Sequence, residues 1–163
     1  MKHRAPRSAY LGDTPYLDFY RGRIVAKFHD LPDDERRTSR LASGWSPRDL
    51  LTHLRHVERR WLEWGFLDAD LPDPWGDDRD GRWHTPPGAT DDEVVASLWA
   101  QGRRTREIAE RLGPGARGIP GGRWRGGEPG TVERVLLHLV QEYARHLGQL
   151  DVVVEIVTGS VGE

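Results

Sequence analysis

The chain contains no cysteine, only two lysines (Lys2 and Lys27), and no apolar run long enough to cross a bilayer. The first absence removes disulfides, thiolate zinc sites and a protein thiol nucleophile, so any thiol chemistry has to use a thiol carried on a small molecule. A spanning helix needs ~20 apolar residues, and the basic stretch Met1 to Arg7 leads into no apolar signal core. The expected location is the cytoplasm. A formal net charge of -2 gives no field that favours nucleic acid or an anionic membrane. The groups Arg21/Arg23 and Arg103/Arg104/Arg106 read as solvated helix faces. With 163 residues, 36% apolar and 31% charged, the composition suits one domain over 1–163 with a modest core.

Helical spacing dominates what is present. Thr14–Pro15 opens a segment with Tyr16, Phe19, Tyr20, Ile24 and Phe28 on one face, closed before Pro32. Ser46 caps a second helix with Pro47 at its first position, where the missing N–H costs nothing. That helix carries Leu50, Leu54, Val57, Trp61 and Trp64 and ends near Phe66. Thr90 and Glu93 form a capping box for a third, which buries Val94, Leu98, Ile108 and Leu112 before Gly113–Pro114. The fourth runs from about Thr131 to Val157 and stops at Gly159. Two long stretches interrupt this pattern, 68–89 and 113–130. Loops of such length are uncommon and are often functional. Arg123–Arg125 is the one candidate strand. The fold class is all-α, a four-helix bundle with two long loops.

The last helix has a polar interruption. Val132, Val135, Leu139, Glu142, His146, Gln149, Val153 and Ile156 alternate three- and four-residue spacings, the seam of a packed helix. Buried without partners, a carboxylate and an imidazole are costly, so something must satisfy them. Residues four apart project side by side, and Glu142 and His146 can hold one ion. His53, beside the seam of the second helix, completes a two-histidine, one-carboxylate set that leaves positions open for water or substrate. His138 stands four before Glu142, within reach of that carboxylate. Gln149 reads either as a donor behind the ligands, as pocket lining, or as a plain interhelical hydrogen bond. His56 falls off the seam and reads as exposed. His3, His29 and His84 have terminal, helix-end and loop readings, and Asp151 and Glu155 read as solvated.

Two blocks, Trp45-Ser46-Pro47-Arg48-Asp49-Leu50-Leu51-Thr52-His53-Leu54 and Leu136-Leu137-His138-Leu139-Val140-Gln141-Glu142-Tyr143-Ala144-Arg145-His146-Leu147-Gly148-Gln149, resemble the DinB-like superfamily, which includes mycothiol-dependent maleylpyruvate isomerase and related bacterial thiol transferases. The resemblance implies a divalent metal, often zinc or nickel, on His53, Glu142 and His146. It also implies a transferase that uses mycothiol or another small thiol against an electrophile. Some relatives have a histidine where this chain has Gln149, and others a glutamine. On that reading Arg82, Arg123 and Arg125 are candidates to hold substrate carboxylates, and Trp75, Trp83 and Trp124 to wall the pocket. Two rivals stand beside it: a metal-dependent hydrolase, and a non-enzymatic bundle whose Glu/His cluster sets helix register. A homodimer through one bundle face is compatible with each.

Overall fold

The computed structural model describes residues 14–162; His3 and the segment Met1–Arg7 lie outside them. The described residues form four long helices: α1 (Thr14–Asp30), α2 (Pro47–Arg59), α3 (Asp91–Leu112) and α4 (Val132–Thr158). The start signals work as read. Ser46 Oγ accepts from the Asp49 N–H at 3.3 Å, and the Asp49 carboxylate accepts from the Ser46 N–H at 2.9 Å. Thr90 and Glu93 make the same reciprocal pair at α3, and Thr131 caps α4 through the Arg134 N–H. Gly159 ends α4 in the left-handed region at φ 75°, where a side chain would be strained.

α2 does not stop at Arg59. It continues to Phe66 as a π-helical turn, Arg60–Phe66, and the Leu67 N–H donates to the Leu62 carbonyl at 2.9 Å. Such i→i+5 turns are rare and cluster at functional sites. A glycine belongs here, because a Cβ on Gly65 would stand 2.9 Å from the Arg60 carbonyl oxygen.

Around the bundle the helices follow the ring α1, α4, α2, α3: α1 lies chiefly on α4 and α2 chiefly on α3. The connections α1–α2 and α3–α4 therefore cross diagonals instead of joining neighbours. Ile24, Phe28, Leu50, Leu51, Leu54, Leu98, Ile108, Leu139, Tyr143 and Leu150 are fully buried between the four.

Three sequence readings need correction at the level of the fold. Arg123–Arg125 is not a strand; Gly122–Trp124 is a single 3-10 turn. The small antiparallel pairing lies in the other loop, β1 (Asp78–Arg79) with β2 (Arg82–Trp83). Asp80 (φ 56°) and Gly81 (φ 74°) make its turn, the positive-φ pair a two-residue hairpin demands. Two-residue strands are too short to show alternation, so only Asp80–Gly81 signalled it. Arg21 is not solvated but 0% exposed. Its guanidinium occupies space that a Cβ on Gly102 would fill, and it bonds Glu58 at 2.6 Å. Finally, the inner stripe of α4 runs through Val132, Leu136, Leu139, Tyr143, His146, Leu150 and Val153, all buried. Glu142 and Gln149 lie on its flank, half-buried, and Ile156 is 57% exposed.

Candidate metal centre

His53, one and a half turns into α2, faces Glu142 and His146 on α4. One donor atom from each of the three lies within 4.8 Å of the other two. The two imidazole rings stand edge to face, centroids 5.1 Å apart. Glu142 Oε2 is 3.3 Å from His146 Nε2. Each ring is held from behind through its other nitrogen. His53 Nδ1–H donates to Asp77 Oδ2 at 2.8 Å, and His146 Nδ1–H donates to Gln149 Oε1 at 2.8 Å. Both histidines are thereby fixed in the tautomer whose Nε2 carries a free lone pair, which is how metal-ligating histidines are usually oriented.

Asp77 is a buried carboxylate on the hairpin loop. Burial alone would raise its pKa, but the hydrogen bond from His53 and those from Arg60 outweigh that and hold it at about 2. It is ionised at neutral pH and can only accept. Arg60, the first residue of the π-helical turn, binds both Asp77 oxygens and donates to the Pro74 carbonyl at 3.1 Å. For His146, burial dominates and pushes the pKa down, with nearby His53 adding to it, against the Gln149 hydrogen bond and Glu142. That shift favours the neutral ring, whose Nε2 lone pair would face a carboxylate oxygen. Two acceptors at 3.3 Å repel unless a cation or a proton lies between them. This donor set fits a divalent cation.

Trp83 on β2 covers the cluster. It stacks on His53 with centroids 4.1 Å apart and 15° between planes, and meets His146 edge-on at 5.0 Å. The other sequence candidates divide. Gln149 serves its own helix by orienting His146. His138 Nε2 is 3.6 Å from Glu142 Oε1, an ion-pair distance too long for a hydrogen bond, and its ring packs on Trp61 at 4.2 Å. Arg82 is exposed, with its guanidinium beside Gly44. Trp75, Trp124, Arg123 and Arg125 instead gather around a separate cavity with Arg60, Trp61 and Trp64. His56 is buried, not exposed, because the 68–89 loop folds over it: its Nδ1–H donates to the Thr52 carbonyl at 2.9 Å, and Gly76 packs against its Nε2.

Sequence reasoning missed Asp77 and Arg60 in the site itself, and a buried polar network one layer along. In that network Glu58 accepts from Arg21 at 2.6 Å, from Thr105 at 2.5 Å and from the Tyr143 hydroxyl. Nothing local marks Asp77. Glu58 did carry a signal, since Leu51, Leu54, Glu58 and Leu62 step along α2 at seam spacing.

A helical bundle with a two-histidine, one-carboxylate cluster shared between its second and fourth helices is of the DinB-like kind. More narrowly, the family model described as Mycothiol-S-transferase matches residues 14–159, and the chain belongs to that family. No curated protein and no solved structure matches it.

Proposed function

We propose that this chain is a metal-dependent transferase that joins the sulfur of mycothiol, or a closely related small thiol, to a carbon electrophile, with His53, Glu142 and His146 as the metal ligands. Family membership supports the thiol and the transferase class. The observation that carries the metal is the convergence of three donor atoms within 4.8 Å while both histidine Nδ1 atoms are engaged elsewhere. Two imidazoles and a carboxylate suit zinc or nickel. When bound, a divalent cation holds a coordinating thiol as its thiolate at neutral pH, and a chain without cysteine leaves that place to an incoming thiol. The residues do the rest. Asp77 and Gln149 fix the two rings, Arg60 fixes Asp77, and Trp83 keeps bulk water off His53. The thiol releases its proton to solvent, and its sulfur gives an electron pair to the electrophilic carbon. The displaced pair departs with the leaving group, or settles on the adjacent atom and is protonated by solvent.

Elemental analysis of protein purified without a histidine tag, beside His146→Ala, is the direct test. About one zinc or nickel per chain, lost in the variant, is expected. Turnover of an electrophile such as monochlorobimane should then require both mycothiol and the metal. Turnover that proceeds without thiol would replace the transferase with a hydrolase. No metal after reconstitution with either ion would leave the Glu/His cluster as a structural device.

A further inference from the structure

Four of the seven tryptophans line one cavity of about 470 Å³ on the outer side of the π-helical turn, a size typical of small-molecule sites. Trp61 and Trp64 come from the turn, Trp75 and Trp124 from the two long loops. Three arginines join them, Arg60, Arg123 and Arg125, and among the described residues no acidic one does. Two of the guanidiniums already sit over indoles: Arg60 Cζ is 4.3 Å from the Trp75 centroid and Arg123 Cζ is 4.4 Å from that of Trp64. Arg60 is neutralised by Asp77, and Arg123 by Asp68. Arg125 has no acidic partner among the described residues, and Arg123 Nε has no hydrogen-bond acceptor. A chain of net charge -2 thus builds a local excess of positive charge inside a tryptophan cage.

We infer that this cavity binds a flat aromatic or conjugated anion, such as an aryl carboxylate. Its lining side chains offer indole faces and N–H donors but no side-chain acceptor. A neutral polyol needs acceptors as well as donors, so it would leave hydroxyl protons unpaired there. A planar anion matches both properties: its ring stacks on the indoles, and its oxygens take a charge-assisted bond from Arg125. The cavity does not touch the His53, Glu142 and His146 cluster, but one intervening residue on each side links the two. Arg60 reaches His53 through Asp77, and Trp61 reaches Glu142 through His138. A smaller recess of about 200 Å³ shares Trp61 and Trp124 and ends at His138. That the bound anion is the electrophile rests on the transferase reading above; that the cavity binds it does not.

The experiment is calorimetric titration of the full chain with 2-naphthoate and with its neutral counterpart 2-naphthamide. Naphthoate should bind at least about tenfold more tightly, the worth of one charge-assisted bond. Arg125→Gln, at an exposed position, should remove most of that preference and leave naphthamide unaffected. Trp75→Ala, at the exposed rim, should weaken both ligands. His146→Ala and chelator-treated protein should bind naphthoate as the untreated chain does, so failure of the metal reading leaves this result standing. Equal affinity for the two ligands, binding of neither, or naphthoate affinity untouched by Arg125→Gln would overturn the proposal. Loss of naphthoate binding in His146→Ala alone would also overturn it, by moving the carboxylate to the metal ligands.

Discussion

Asp77 is 24 residues from His53 along the chain, yet it decides which nitrogen of that ring is free. Carboxylates behind ligating histidines raise ligand basicity and fix ring orientation, and their loss typically costs 10–100-fold in metal affinity. Asp77→Asn should therefore weaken zinc binding by about that factor in a chelator competition, with the helical content intact. Unchanged affinity would mean that His53 is held by Trp83 stacking alone. The three candidate ligands were legible because two lie four apart on a regular helix and the third lies within two turns of a capped start. Asp77 and Arg60 were not. A loop has no periodicity from which to read direction, and Arg60 is aimed by a widened turn that straight 3.6-residue spacing does not anticipate.

At the scale of elements, α4 shows how a correct period can still give a wrong face. Two paths of alternating three- and four-residue steps run through Val132, Leu139, His146 and Val153. One adds Val135, Glu142, Gln149 and Ile156; the other adds Leu136, Tyr143 and Leu150. Packing chose the second, and Tyr143 became fully buried while Glu142 kept part of its surface. The reason lies in the opposite helices. Arg21 from α1, Glu58 from α2, Thr105 from α3 and Tyr143 from α4 close one buried network, so a residue from every helix meets at Glu58. Removing its centre leaves the buried guanidinium with Asp18 as its one remaining carboxylate partner among the described residues. Glu58→Ala should cost about 3–5 kcal/mol in urea unfolding, while Arg21→Met with Glu58→Met should restore most of that loss. A double variant no better than Glu58→Ala would contradict this account. Gly102→Ala tests the same junction from α3, because the added methyl would overlap the Arg21 guanidinium. Overpacking of this kind costs about 1–3 kcal/mol, and a neutral result would mean that Arg21 can move aside.

For the whole molecule, the bundle and its helix starts followed from caps and apolar spacing, whereas the diagonal connections did not, since loop composition carries no information about which neighbour a chain crosses to. The same four-helix junction also makes stability depend on pH at the alkaline end. Burial holds the Tyr143 phenol well above its ordinary pKa, and neighbouring Glu58 adds to this against the opposing charge of Arg21. In the unfolded chain the phenol ionises near pH ~10. Above that value the unfolded state has lost a proton that the folded state keeps. The folded state binds more protons, so stability must fall as pH rises, by up to about 1.4 kcal/mol per pH unit for this one group. Below that value the phenol is protonated in both states and contributes no slope. Urea midpoints measured from neutral pH to beyond pH ~10 should stay level and then drop. Tyr143→Phe should be less stable at neutral pH, because Glu58 loses a donor, yet flatter in the alkaline range, so that the two curves converge. Parallel curves would assign the alkaline loss to other groups and leave Tyr143 with a packing role alone.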